Sequence, residues 1–138
     1  MFKKYHYLSH SFNKAARVFL CYCNDVLVGF NAILPFPHPI KKNTWREHRL
    51  VVFPDFQGVG IGSHFSALCG EILKNEGKTF IATTSNPALI FSRKKDNKWI
   101  TTRIGRASRG SENGILHNKN VKNSTSANRI TVSFQYKG

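Results

Sequence analysis

A glycine-rich segment that joins an apolar run to a helical pattern constrains this chain more than any other feature. The apolar run Leu50-Val51-Val52-Phe53 ends at Pro54, and Gln57-Gly58-Val59-Gly60-Ile61-Gly62 follows it closely. From there apolar residues recur at helical spacing, at Ile61, Phe65, Leu68, Cys69, Ile72 and Leu73. A strand that turns through glycines into a helix exposes backbone N–H groups at the positive end of the helix dipole. The segment therefore predicts an anion site, with phosphate as its natural occupant.

Two common phosphate-binding motifs do not fit these residues. A P-loop requires a lysine and then Ser or Thr after the last glycine, whereas here His64 follows Ser63. A dinucleotide-binding loop requires a third Gly or Ala at Ser63 and an acidic residue at the end of the next strand, where Thr83 and Thr84 stand. Nucleoside triphosphate chemistry is therefore rejected, and dinucleotide binding is disfavoured.

The rest of the chain predicts strands and helices arranged around this segment. Asn24-Asp25 predicts a tight turn, Gly77 the end of the long helix, and Asn86 the N-cap of a second helix. The predicted helices are 7–16, 61–77 and 87–94, and the predicted strands are 17–22, 27–34, 44–53, 79–84, 99–102 and 129–136. This order predicts one mixed α/β domain over residues 1–138.

The glycine-rich segment resembles a loop of a known family. Gln57, Gly60 and Gly62 match the Q/R-x-x-G-x-G/A acyl-CoA loop of the GNAT superfamily of N-acyltransferases. Asn86-Pro87-Ala88-Leu89-Ile90-Phe91 resembles the second cofactor motif of that family, in which Asn and Ala precede an aromatic residue. The resemblance covers roughly residues 7–102 and 129–136. It implies a mixed, mainly antiparallel central sheet, flanked by helices and splayed at an acyl-CoA cleft.

The same resemblance implies an acyl-CoA-dependent transfer to an amine, with acetyl-CoA or another acyl-CoA as cofactor. The cofactor pyrophosphate would lie on backbone N–H groups of the glycine-rich segment, and the pantetheine arm along the preceding strand. The residues implied in cofactor binding are Leu50, Val51, Val52, Gln57, Gly58, Val59, Gly60, Ile61, Gly62 and Asn86.

The resemblance also implies catalytic positions. The family usually carries its general base on the strand before the loop, where Glu47 is the only acid. In a regular strand Glu47 and Arg49 would share a face, where a solvated ion pair is an equally simple interpretation. Phe91 stands where many members carry a tyrosine general acid, so Tyr136, Ser92 or water would have to replace it. Glu47, Tyr136 and Arg49 are the predicted catalytic residues.

A narrower resemblance concerns the acceptor. Residues 5–10, 48–58 and 134–138 together are similar to the phage Mom-like branch of GNAT-fold proteins. It implies that the acceptor is the amino group of an adenine in DNA. It also places His6, Tyr7, Arg49 and Tyr136 around the substrate cleft, with His6 and Tyr7 as the predicted substrate-binding residues.

Net charge favours a polyanionic partner. The 21 Lys and Arg residues against seven Asp and Glu give a formal charge of +14. Residues 103–128 are basic and rich in Gly, Ser and Asn, which predicts a mobile insertion that could neutralise DNA phosphates or could simply be a solvated loop. The alternative to an enzyme is a non-catalytic nucleic-acid-binding protein that retains the GNAT fold.

Cysteine usage and hydropathy predict a cytoplasmic protein without a membrane partner. The three cysteines, Cys21, Cys23 and Cys69, have no disulfide framework spacing, and no apolar run is long enough to cross a bilayer. His6 and His10 lack acidic or cysteine neighbours, so no metal site is predicted. The sequence leaves the oligomeric state open.

Overall fold

The computed structural model describes residues 15–106 and 129–138. The elements are β1 (Arg17–Cys23), β2 (Val26–Pro35), β3 (Thr44–Val52), α1 (Ile61–Asn75), β4 (Thr79–Thr84), α2 (Pro87–Lys95), β5 (Trp99–Arg106) and β6 (Ile130–Tyr136). A short 3-10 turn at Pro54–Phe56 leads into the glycine-rich segment. The mixed, mainly antiparallel sheet predicted from the sequence is confirmed. None of the helices in these ranges is long and apolar enough to cross a membrane.

The six strands form one sheet in the order β1-β2-β3-β4-β6-β5. The pairing of β3 with β4 is parallel and covers only Thr44–Arg46 against Thr79–Ile81. From Glu47 onward β3 diverges from β4, so a wedge opens between the two strands at their carboxyl ends. The predicted splay of the sheet is therefore confirmed, and its vertex lies at Arg46 and Glu47.

A β-bulge in β3 reverses the side-chain pattern just past this vertex. Ile33 of β2 pairs with Glu47, whereas the adjacent Ala32 pairs with Arg49, which leaves His48 as the extra residue. Paired residues of antiparallel strands share a face, so Glu47 and Arg49 lie on opposite faces of the sheet. The expectation that they share a face is wrong, because it assumed a regular strand.

Helix α1 covers the face of the sheet that carries Glu47. Its buried residues are Phe65, Ser66, Cys69, Gly70 and Leu73. Leu68 and Ile72, which the apolar spacing placed on the inner face, are 51% and 44% exposed. The small residues Ser66 and Gly70 face the sheet instead. A Cβ added at Gly70 would lie 2.6 Å from Cγ of Tyr136, so the glycine allows a close approach.

The turns and caps predicted from local sequence form as expected. Asn24 and Asp25 adopt left-handed conformations between β1 and β2, as a tight hairpin turn requires. Gly77, at φ +73°, ends α1 with two backbone bonds, its own N–H to Lys74 and the N–H of Lys78 to Leu73.

The predicted insertion begins later than expected. β5 extends to Arg106, because Arg103, Ile104, Gly105 and Arg106 pair with β6. The boundary at residue 103 is therefore wrong by four residues. Residues 107–128, and residues 7–14 of the predicted first helix, lie outside the described residues, as do the predicted substrate residues His6 and Tyr7.

Candidate active site

A cleft of about 430 Å³ lies where the sheet splays, between β3 on one side and α2 on the other. The glycine-rich segment and the start of α1 form one end of it. The residues that line the cleft are Leu50, Val52, Phe56, Gln57, Gly58, Gly60, Ile61, Gly62, Ser63, Asn86, Ala88, Leu89 and Ser92. Eight of the ten predicted cofactor residues are among them, and Val51 and Val59 are not.

Gly58 and Gly60 give this end of the cleft its backbone conformation. Both are left-handed, at φ +86° and +82°, and a Cβ added at either would meet no atom within 4 Å. Across the described ranges, no protein acceptor takes the backbone N–H groups of residues 58–63. These groups lie at the positive end of the α1 dipole beside open space, which is the arrangement that binds anions.

Two side chains fix the walls beside these groups. The Gln57 side-chain amide donates a hydrogen bond to the Val52 carbonyl oxygen at 2.7 Å, which ties the segment to the end of β3. Asn86 caps α2, since its Oδ1 accepts from the N–H groups of Ala88 at 2.9 Å and Leu89 at 3.5 Å. Gln57 and Asn86 therefore hold the cleft walls in place with their own side chains.

The start of α1 lies against β3 at Gly62, where a Cβ would make ordinary van der Waals contacts. A Cβ at Gly62 would lie 3.4 Å from Cγ2 of Val52 and 3.8 Å from Cδ2 of Leu50. Leu50 and Val52 thus face the cleft and α1, whereas Val51, which pairs with Phe30, faces the other side of the sheet. The prediction that Val51 binds the cofactor therefore concerns the edge of β3 and not its side chain, and it stays a prediction.

Glu47 lies at the vertex of the splay in a buried hydrogen-bond network, with its side chain 7% exposed. Its Oε2 accepts from Nη2 of Arg93 at 2.8 Å. Its Oε1 accepts from Oγ of Ser66 at 2.6 Å and from Nδ2 of Asn31 at 2.9 Å. Both carboxylate oxygens are therefore engaged within the protein, and Glu47 is not among the residues that line the cleft.

Arg93, the partner of Glu47, is the residue of this network that the sequence did not indicate. Its side chain is 1% exposed, and its guanidinium carbon lies 4.6 Å from the centre of the Trp99 ring. Within the described residues its Nε and Nη1 atoms have no hydrogen-bond partner. The run Arg93-Lys94-Lys95 is typical of a solvated helix end. The available signal was that Arg93 follows Ile90 by one helical turn and so shares its inner face.

Tyr136 lies away from this cleft. It is buried against α1, and its hydroxyl donates to Oε2 of Glu71 at 2.7 Å. Burial and the neighbouring Glu71 raise the pKa of the Tyr136 hydroxyl to about 12. Tyr136 lines a second cavity of about 330 Å³ between α1, α2 and β5, which adjoins the cleft and shares Gly60, Ser63 and Ser92 with it. Tyr136 itself is not among the residues that line the cleft.

The remaining predicted positions are divided between the cleft and its surroundings. Ser92 lines the cleft, whereas Phe91, at the expected place of a general acid, is 62% exposed and lines a neighbouring groove. Arg49 lies on the face of the sheet opposite Glu47. The three predicted catalytic residues therefore do not come together in one cluster.

Comparisons with known proteins agree on one family. A family model described as "Acetyltransferase (GNAT) family" matches residues 2–91. An acetyltransferase from Bacillus subtilis, solved in complex with CoA, has 17% sequence identity and a TM-score of 0.63, over 91% of this chain and 78% of that one. A GNAT family acetyltransferase from Elizabethkingia anophelis with acetyl-CoA bound has 14% identity and a TM-score of 0.60, over 90% and 77% of the two chains.

A third solved structure with this fold is the ribosomal-protein-S18-alanine N-acetyltransferase from Escherichia coli. It has 16% identity and a TM-score of 0.60, over 90% of this chain and 70% of that one. A search of curated protein sequences found no match. At these identities the structural likeness establishes the fold.

Proposed function

Because this chain belongs to the GNAT family of acetyltransferases, we propose that it transfers an acetyl group from acetyl-CoA to an amine. The observation that carries this proposal is the row of backbone N–H groups at residues 58–63, which have no acceptor within the described protein and belong to a segment that lines an open cleft at residues 58 and 60–63. Two of the solved structures with the same fold hold CoA or acetyl-CoA, which supports the choice of cofactor.

The cleft suits the chemistry of this cofactor. Its diphosphate is an anion that unpaired N–H groups at a helix start can bind without a lysine. Gly58 and Gly60, both left-handed, belong to the part of the backbone that lines the cleft. The apolar side chains of Leu50 and Val52 suit a long, largely uncharged arm. When bound, acetyl-CoA supplies the activated thioester carbonyl that an amine attacks.

The described residues that line this cleft offer only weak acids and bases for proton transfer. Of the described residues that line it, Ser63 and Ser92 carry hydroxyls, and none carries a carboxylate or an imidazole. We propose that water, oriented by Ser92, takes the proton from the amine as the C–N bond forms, and that CoA leaves as the C–S bond breaks, its thiolate taking a proton from water. Such a site suits an amine that is already neutral at physiological pH, because a side-chain ammonium of pKa about 10.4 would first need a strong base.

Calorimetry tests the cofactor proposal on the full chain. Titration with acetyl-CoA and with CoA is expected to show one site with a dissociation constant in the range of roughly 1 μM to 1 mM that is usual for enzyme substrates. The same ligands should raise the melting temperature, by an amount that grows with the logarithm of their concentration above the dissociation constant. If neither ligand gives heat or a thermal shift at millimolar concentration, the enzyme proposal fails and the non-catalytic alternative is favoured.

For the acceptor we propose the amino group of an adenine in DNA, which the resemblance to the Mom-like branch implies. A groove of about 1020 Å³ adjoins the cleft and shares Asn86 with it. The groove lies between α2 and the β5–β6 hairpin, and Lys94, Arg129 and the exposed Phe91 line it. None of its described lining residues is acidic. Cations beside an exposed aromatic ring suit a polyanion with flat bases. An aromatic amine is also neutral at physiological pH, but in a duplex the base must leave the stack to react.

Mass spectrometry of nucleosides tests this acceptor. DNA from cells that express the protein is expected to contain deoxyadenosine with an added acetyl mass, and DNA from cells that express Gly60→Val should contain none. Unmodified DNA together with normal acetyl-CoA binding would reject adenine as the acceptor and leave the cofactor proposal intact.

A further inference from the structure

We propose that the buried pair Glu47–Arg93 is an internal tie that sets the width of the cofactor cleft, with both residues acting as positioning residues. The inference rests on the proposed function, since it concerns the cleft assigned to acetyl-CoA. It gives Glu47 a role different from the general base that the sequence predicted.

The tie joins the two walls of the cleft at its closed end. Glu47 belongs to β3, which supplies Leu50 and Val52 to one wall. Arg93 belongs to α2, which supplies Ala88 and Leu89 to the other. Beyond the vertex no strand pairing connects β3 with β4. The charged hydrogen bond of 2.8 Å therefore connects the walls where the sheet itself does not.

Helix α2 depends on this contact because it has little else to bury. Arg93 is its one buried residue, and Ile90 is the partly buried side chain that packs against the main core. When a helix buries few apolar side chains, a buried hydrogen-bonded contact with strict distance and angle requirements fixes its position. Arg93 meets that description, because it bonds to both Glu47 and Ser66 while its guanidinium stacks on Trp99.

The position of the pair argues for a structural role over proton transfer. A general base needs a free oxygen within reach of the attacking amine. Both oxygens of Glu47 accept hydrogen bonds from Arg93, Ser66 and Asn31, and neither Glu47 nor its partners Ser66 and Asn31 line the cleft. The network is therefore suited to holding α2 against β3.

The experiment distinguishes an effect on the position of α2 from an effect on the stability of the protein. It compares CoA binding and melting temperature in a single and a double variant. Arg93→Met leaves a buried carboxylate without its cation, so it should lower the melting temperature and weaken CoA binding at least tenfold. The double variant Glu47→Met, Arg93→Met removes both charges and should recover much of the melting temperature. Because the apolar pair lacks the directional bond, CoA binding should stay at least tenfold weaker than in the wild type.

Arg17→Met is the matched control, because Arg17 pairs with Glu76 in an ion pair whose side chains are each 35% exposed, outside the cleft lining. This substitution should change CoA affinity by less than twofold.

If the stable double variant binds CoA as tightly as the wild type does, the proposal that the pair sets the cleft width is wrong. If the wild type binds no CoA, the proposed function fails, and hydrogen exchange decides on the tie separately. Amides of α2 should then exchange at least tenfold faster in Arg93→Met than in the wild type, and unchanged exchange would overturn the proposal.

Discussion

Replacing Glu47 with alanine is expected to lower the free energy of unfolding by about 3–5 kcal/mol, as the removal of one partner from a buried ion pair does. The substitution leaves Arg93, 1% exposed, without its counter-charge, and it removes the acceptor of the Ser66 and Asn31 hydrogen bonds. Urea unfolding followed by circular dichroism measures the effect, with the slope of the transition checked for two-state behaviour.

A second acidic residue gives the control for this prediction. Glu76 pairs with Arg17 and Lys78 at the surface, so Glu76→Ala should cost no more than about 1 kcal/mol. A residue that served only as a general base would give the opposite pattern, since Glu47→Ala would then abolish acetyl transfer and leave stability nearly unchanged. A loss below about 1 kcal/mol for Glu47→Ala would therefore contradict the buried network and restore the interpretation as a base.

The parts of this fold that follow short-range rules could be predicted from sequence. The turn at Asn24-Asp25, the cap at Asn86 and the helix end at Gly77 each depend on residues within one turn of the chain. The glycine-rich segment belongs to the same class, because its conformation and its free N–H groups follow from residues 57–63 alone. The backbone conformation on which the proposed anion site depends was therefore predictable from these residues.

The pairings that depend on distant parts of the chain could not be predicted in the same way. Glu47 and Arg93 are 46 positions apart, and each has a charged neighbour in sequence that would be a simpler partner. The bulge at His48 changes which residues of β3 face α1, and no residue type in that strand requires a bulge there. On α1, the side that packs against the sheet includes Gly70, which allows a close approach. The more apolar side, with Leu68 and Ile72, is largely exposed instead.

Replacing Gly60 with valine is expected to weaken acetyl-CoA binding by about 2–3 kcal/mol, or roughly 30- to 150-fold. Gly60 is at φ +82°, a conformation that a β-branched residue adopts only under strain, so the backbone must rotate to relieve it. That rotation turns the N–H groups of the segment away from the cleft, and the anion site loses its geometry. Calorimetry with acetyl-CoA measures the change, and the melting temperature measures the strain.

The variant Gly77→Val is the control that distinguishes loss of the anion site from backbone strain. Gly77 is also left-handed, at φ +73°, and a Cβ there would likewise meet no atom within 4 Å, but it ends α1 at the opposite end from the cleft. Gly77→Val should therefore cost a similar strain of roughly 1–2 kcal/mol in stability and leave acetyl-CoA affinity within about twofold of the wild type. If Gly60→Val and Gly77→Val lose the same amount of acetyl-CoA affinity, backbone strain alone weakens binding. The proposal that the N–H groups of residues 58–63 bind the diphosphate would then be rejected.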